Sequence, residues 1–360
     1  MKPLSIAFFG SSLVSAYWNG AATYYRGILS TLAARGHRIT FYEPDAFDRQ
    51  AHRDMPDPCW ARVVVYPVNN MDGVLRALDD AYRCDLIVKA SGVGIFDGLL
   101  EAQILEIKRP NALAVFWDVD APATLDRLAA HQDDPFHALI PAYDMILTYG
   151  GGPPVVAGYR RFGARSCVPI YNGLDPSTHH PVPPAARFAC DLGLLANRLP
   201  DREQRVEEFF IAVASDLPDR RFLLGGNGWA GKPMPRNIAY VGHVYTRDHN
   251  AFNISARAVL NVSRDSMAAY GYSPATRVFE AAGAGACIVT DAWEGIDEFF
   301  EPGREILVAA RGSAVTELLG WLTPQRGRRI GAAARARALA EHTYGRRVDL
   351  LEAALEGKAQ

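Results

Sequence analysis

Arg277 and Glu280, three residues apart, carry the clearest chemical signal in this sequence. They lie in Ser273-Pro-Ala-Thr-Arg-Val-Phe-Glu-Ala-Ala-Gly-Ala-Gly-Ala-Cys-Ile-Val-Thr-Asp291. Ser273 and Pro274 read as a helix start, because a hydroxyl can cap free N–H groups and proline is tolerated in the first turn. Gly283 and Gly285 read as its end, and Ala286 to Thr290 as a buried strand. On that helix Arg277 and Glu280 share a face. The guanidinium suits a diphosphate and the carboxylate a ribose diol, while free N–H groups at Ser273 to Thr276 add a second attraction for phosphate. A plain helix salt bridge uses the same pair. The flanking small residues, glycines and apolar strand favour the ligand-holding reading.

The same stretch resembles the donor-binding signature of group 1 glycosyltransferases, in which a Glu, a helix of small residues, Gly and an apolar strand grip the nucleotide ribose. Leu260-Asn-Val-Ser-Arg-Asp-Ser-Met267 and Asp291-Ala-Trp-Glu-Gly-Ile-Asp297 are similar, more narrowly, to the CgeB-like spore-protein branch. The likeness covers most of residues 185–350. Over residues 1–180 it rests on Gly10 to Gly20, Gly36-His37, Asp118-Val-Asp120 and Asn172-Gly-Leu-Asp-Pro176. One position departs: the larger family usually has an acid eight residues before Glu280, touching the donor sugar, where this chain has Tyr272.

The resemblance implies a GT-B fold, two Rossmann-like domains facing a central cleft, and transfer of a glycosyl group from a nucleotide-diphosphate sugar to an acceptor hydroxyl. It implies a retaining, metal-independent reaction with no separate cofactor, in which the leaving diphosphate helps take the acceptor proton. Arg198, after a strand, and Arg277 are then the groups that stabilise charge on the phosphates. An Arg and a Lys usually share this task; the sequence places no Lys near Arg198, so Arg202 or Arg264 is the expected substitute. Gly226 and Asn227, in Gly225-Gly-Asn-Gly-Trp229, are expected to wrap the donor, with Trp229 stacking or packing. Val244 and Tyr245, in Gly242-His-Val-Tyr-Thr246, match a segment whose backbone reads the base; Tyr245 stacks there or packs in the core. Ser273, Thr276 and Tyr272 complete the donor set.

On the acceptor side, Trp18, Asn19 and Gly20 lie in a loop between the first strand and first helix. That loop is not G-x-G-x-x-G, so a nicotinamide dinucleotide site is not expected. Asp120 follows an apolar strand, where it either positions and deprotonates an acceptor hydroxyl or caps the next helix.

These residues need rigid supports, and the hydrophobic pattern supplies them. Strands are expected at Leu4–Phe9, Arg38–Tyr42, Arg62–Tyr66, Asp85–Lys89, Ala112–Trp117, Met145–Thr148 and Cys167–Ile170, with helices at 21–34, 74–82, 99–107, 125–130 and 155–162 between them. A second series has strands at 191–195, 221–224, 238–241 and 258–262, helices at 203–214 and 247–255, and a long Ala/Arg helix from Pro324 to Glu341. Alternation of buried strands and helices argues for parallel sheets. The expected division is 1–172, a Pro-rich linker 173–187, 188–341, and a C-terminal helix in 342–360 that packs back on the first domain.

Composition bounds the rest. The chain has 360 residues, 49% apolar content and a net charge of −2, enough for two cores and without a charge bias toward nucleic acid. Five scattered cysteines form no C-x-x-C pair, which signals neither a disulfide framework nor zinc; His243, His249 and the pair His179-His180 lack metal-ligand spacing with acids, so no metal is expected. Gly10-Ser-Ser12 interrupts what would otherwise resemble a signal-peptide core, no apolar run reaches the ~18 residues of a membrane span, and a cytoplasmic location is expected. A nucleotide-sugar epimerase of the same architecture and a catalytically silent nucleotide-sugar binder are the other function classes. The partners expected are a nucleotide sugar and an unidentified acceptor.

Overall fold

The computed structural model describes residues 1–357, so the last three positions of the expected C-terminal segment lie outside it. The chain forms two compact units. Met1–Asn172 and the helix Tyr344–Glu356 make the first, and Gly173–Thr343 the second.

In the first unit the strands are β1 Ser5–Phe9, β2 Arg38–Pro44, β3 Ala61–Tyr66, β4 Leu86–Ala90, β5 Leu113–Asp118, β6 Met145–Thr148 and β7 Cys167–Pro169. They pair in parallel in the order β3-β2-β1-β4-β5-β6-β7. Runs such as Ile6 to Phe9 and Leu86 to Val88 are apolar throughout because helices cover both faces of a parallel sheet. In register, Ile6 lies between Ile39 and Leu86. Tyr344, Val348, Leu351 and Leu355 of the C-terminal helix join this core beside Tyr24, Ile28 and Trp117.

The second unit contains β8 Cys190–Leu195, β9 Phe222–Gly225, β10 Ile238–Tyr240, β11 Ala256–Asn261, β12 Ile288–Asp291 and β13 Leu307–Ala309. Its parallel order is β10-β9-β8-β11-β12-β13. Each sheet reverses its winding once, between β1 and β4 and between β8 and β11. In open α/β sheets the carboxyl ends of strands beside such a reversal are where ligands bind.

Local chemistry moves some boundaries. The helix expected from Ser273 begins at Thr276, with Ala275 as its extended N-cap. The Ser273 hydroxyl donates to the Gly271 carbonyl at 2.8 Å instead of accepting from a free N–H, and caps nothing. Gly285, at φ 82°, ends that helix as expected, but Gly283 stays inside it. A Cβ on Gly283 would stand 2.3 Å from Leu174 Cδ1 and 2.7 Å from the His179 carbonyl, so its smallness serves a close approach. The helix expected at 203–214 runs 200–216 and widens into π geometry over Glu207–Ala212. Two short helices, Phe136–Leu139 and Asp265–Tyr270, carry no readable period. Among the described residues, no helix is long and apolar enough to cross a membrane.

Candidate functional site

The carboxyl ends of β8, β11 and β12 gather the charged groups of the second unit. Asn197 and Arg198 follow β8, Ser263 and Arg264 follow β11, and Asp291 closes β12. Into this group the helix Thr276–Ala284 brings Arg277, and the helix Pro200–Val206 brings Arg202.

Two of the arginines differ from the others. Arg277 is half-buried and donates through Nη1 to Asn261 Oδ1 at 3.2 Å and toward the Val262 carbonyl at 3.4 Å. Arg202 is buried and donates through Nη2 to the Asn197 carbonyl. Among the described residues, no carboxylate lies within ion-pair distance of either guanidinium. Burial lowers the pKa of both; that of Arg202 falls to about 9, and the neighbouring Arg277 charge is the next cause. An unpaired charge held away from water costs several kcal/mol until an anion meets it.

The remaining basic groups are engaged. Arg198 places Nε at 2.9 Å and Nη2 at 2.7 Å on the Glu203 carboxylate, which also accepts from Lys232 Nζ at 2.6 Å. Those hydrogen bonds hold the Glu203 carboxyl down at about 2. The sequence shows no lysine near Arg198; the fold supplies one from the loop after β9. Arg264 donates to Asp201 at 2.5 Å, and Arg205 bridges Asp265 and Asp291 at 2.7 and 2.8 Å. Asp291 further accepts from the backbone N–H and hydroxyl of Ser263, both at 3.0 Å.

Tight backbone contacts place the loops after β8 and β9. Gly226 adopts φ 125°, and a Cβ there would stand 2.1 Å from the Ala196 carbonyl. Asn227 N donates to Asn197 Oδ1 at 2.9 Å while its carbonyl accepts from Arg198 N at 2.9 Å, so the turns after β8 and β9 are laced together. Trp229 packs instead of stacking: it is buried and its Nε1 donates to the Ala196 carbonyl at 2.7 Å. Val244 is buried against Phe188, Leu223 and Phe252. Tyr245, by contrast, is 60% exposed, edge-on to His243 and beneath Arg247, which removes the core-packing alternative. Tyr272 takes φ 45°; its N–H donates to the Glu294 carbonyl at 2.6 Å and its hydroxyl reaches Glu294 Oε1 at 3.4 Å. Thr276 opens the helix that carries Arg277.

Glu280 is half-buried on the same helix. A cavity of about 20 Å³, room for one water, is bordered by Asn261, Arg277 and Glu280. On another side of Glu280 stand His179 and His249, whose ligating atoms and a Glu280 oxygen lie within 4.8 Å of one another. Sequence spacing hid this group, because its members are 70 and 31 residues apart.

In the first unit, Trp18 is exposed at φ 47°, and a Cβ on Gly20 would meet open space. Asn19 faces inward. It accepts from Ser11 Oγ at 2.9 Å and donates to the Ser12 and Ser15 carbonyls at 2.9 and 3.0 Å, bracing the loop. Asp118 is wholly buried and accepts from Ser91 Oγ, Tyr159 Oη and Asp120 N. Asp120 occupies the N-cap position of the helix Ala121–Ala130, yet its side chain makes no capping bond there, so the capping alternative does not describe it.

Comparisons with known proteins agree with this architecture. Residues 202–353 match the family model described as glycosyl transferase-like. No curated protein sequence matches the chain. Among solved structures, Anabaena HepE in complex with UDP-glucose is similar over 98% of this chain and 100% of its own, with a TM-score of 0.70 and 13% identity. Sucrose-phosphate synthase from Thermosynechococcus elongatus is similar over 98% and 99%, with a TM-score of 0.68 and 15% identity. AviGT4, a glycosyltransferase involved in avilamycin A biosynthesis, is similar over 99% and 98%, with a TM-score of 0.63 and 17% identity. The fold is the α/β GT-B type with two Rossmann-like sheets.

Proposed function

We propose that this protein is a glycosyltransferase that moves a sugar from a nucleotide-diphosphate donor to an acceptor hydroxyl. The observation that carries the proposal is the pair Arg202 and Arg277, two guanidinium groups without a carboxylate partner at the carboxyl ends of β8 and β11. A diphosphate is the anion that this pair fits. Glu280, one turn along from Arg277, accepts hydrogen bonds from the two ribose hydroxyls. Gly226, Asn227 and the backbone around Val244 border the donor, and the exposed ring of Tyr245 is available to the base.

In the reaction we propose, the bond between the anomeric carbon and the diphosphate oxygen breaks, and a bond from the acceptor oxygen to that carbon forms. The acceptor proton passes to the departing phosphate. Arg277 and Arg202 stabilise the charge that grows there, with Arg198 as a further donor once phosphate competes for it with Glu203. Removing one such donor typically costs about 10²–10³ in rate. Because the guanidinium groups neutralise the phosphates, this step runs without a metal ion at the phosphates. Attack from the face that the leaving group vacates gives retention. Asp120, Trp18 and Gly20 of the first unit are assigned to the acceptor. The segments 260–267 and 291–297 support placement beside the CgeB-like branch. The donor class is one that HepE binds, a UDP-sugar.

Calorimetry with uridine, UDP and UDP-glucose tests the proposal. Affinity is expected to rise steeply from nucleoside to diphosphate, and Arg202→Met or Arg277→Ala is expected to erase that rise. Equal affinity of the wild-type protein for uridine and UDP overturns it.

A further inference from the structure

His179, His249 and Glu280 arrive from three separate segments of the second unit, and His179 Nε2 stands 3.8 Å from Glu280 Oε1. The surrounding hydrogen bonds decide which ring nitrogens carry hydrogen. A backbone carbonyl only accepts, so His249 Nε2, 3.2 Å from the Val244 oxygen, is the protonated nitrogen and Nδ1 keeps its lone pair. Thr178 Oγ1 spends its hydrogen on the Asp175 carbonyl at 3.2 Å. Its 3.0 Å contact with His179 Nδ1 therefore has the imidazole donating, which leaves His179 Nε2 bare. Both bare nitrogens, His179 Nε2 and His249 Nδ1, are buried without a hydrogen-bond partner, and His179 as a whole is 3% exposed.

Two lone pairs and a carboxylate thus face one another across a few ångströms, an arrangement that calls for a cation among them. We propose that His179, His249 and Glu280 form a binding site for a divalent transition-metal ion of the Zn²⁺ or Co²⁺ kind. Two imidazole nitrogens and one carboxylate are a ligand set that such ions favour, with positions left open for water. The second nitrogen of each ring is already donated to a carbonyl or hydroxyl oxygen, which is how ligating imidazoles are oriented. The segment carrying His179 is held by Asn250 Nδ2, which donates to the Thr178 carbonyl at 2.9 Å, and by its close approach to Gly283. One consequence rests on the ribose role proposed for Glu280. A carboxylate oxygen that ligates an ion is lost to the ribose hydroxyls, so metal and nucleotide oppose each other's binding.

The test uses the full chain, stripped of metal with EDTA and titrated with CoCl₂ and then ZnCl₂. One Co²⁺ per chain is expected, with visible bands of imidazole and carboxylate coordination that Zn²⁺ displaces. His179→Ala, His249→Ala and the shape-preserving Glu280→Gln are each expected to weaken binding by more than roughly tenfold, since even an outer-shell partner is worth that much. Melting curves in EDTA identify any variant that fails to fold, and the others carry the test. Absence of saturable Co²⁺ and Zn²⁺ binding by the wild-type protein overturns the site, as does equal binding by all folded variants. UDP affinity with and without Zn²⁺ is a separate arm: opposition is the expected result. Intact metal binding without opposition overturns the ribose role of Glu280 and leaves the metal site standing.

Discussion

The two units differ in the buried charges they leave without an opposite charge. In the first, Lys89, Glu43 and Asp118 are answered from within, although Arg49 donates to the Ser11 carbonyl at 3.1 Å without an ion pair among the described residues. Lys89 is fully buried at the end of β4, where Nζ donates to the Ala90 carbonyl at 2.9 Å and to Asp97 at 2.5 Å, with Glu101 at 3.6 Å. Glu43, equally buried, accepts from Ser12 Oγ, Leu13 N and Gln50 Nε2. Asp118 has its three donors. In the second unit, among the described residues, Arg202 and Arg277 have no carboxylate and two imidazole nitrogens have no hydrogen-bond partner. Buried charges that are answered internally hold a fold; on the reading proposed above, Arg202 and Arg277 await a phosphate.

The sharpest way to break this comparison is to remove one charge from each class. Lys89→Ala strands two acids beside a vacated pocket, and breaking a buried pair typically costs about 3–5 kcal/mol. A large fall in the urea midpoint is expected. Arg202→Met should do the reverse, because it replaces an unanswered buried charge with an apolar chain. The variant is expected to melt at or above the wild-type temperature while losing about tenfold or more in UDP affinity, the worth of a charge-assisted hydrogen bond. If Arg202→Met unfolds the protein, Arg202 belongs with Lys89 and the contrast collapses.

Glu280→Gln sharpens the ligand side. An amide serves two ribose hydroxyls less well than a carboxylate, so nucleotide affinity is expected to drop by about tenfold with little change in melting temperature. Asp120→Asn probes the first unit's one candidate for chemistry. Because Asp120 makes no capping bond, the expected result is a lower transfer rate at unchanged stability and unchanged UDP affinity. A wild-type rate removes it from the reaction. The smallest effect concerns Asp85, whose carboxyl lies below the ordinary range because the hydroxyl and N–H of Ser5 donate to it at 2.6 and 2.8 Å. A depressed carboxyl contributes stability above its unfolded value of about 3.9, and the contribution fades as pH falls through the folded value. Asp85→Asn should lower stability modestly in the neutral region, where the contribution is present, and flatten the acid limb of the stability curve.

Much of this was legible in the residues. Strands such as Met145–Thr148 and the helix Pro324–Glu341 appear where apolar runs and periodicity place them, because both depend on local pattern. The Arg277 and Glu280 pair is readable for the same reason. What escapes is convergence over distance. Nothing in the spacing of His179, His249 and Glu280 indicates that they meet, nor that Lys232 joins Arg198 at Glu203. Trp229 and Asn19 sit beside glycines, which suggests ligand contact, but both are turned inward by carbonyls that need a donor. The helix starts at Thr276 because the Ser273 hydroxyl is spent on the Gly271 carbonyl, a bond that the sequence does not announce.

The chain leaves the first unit at Asn172 and returns to it at Tyr344, so the second unit is a continuous insertion into a discontinuous host. During synthesis, at about 5–20 residues per second, the second unit can be complete while the first still lacks Tyr344, Val348, Leu351 and Leu355 from its core. Until that last helix emerges, the apolar side of the helix Ala22–Ala34 is uncovered, and the earliest part of the protein to be made is the last to close.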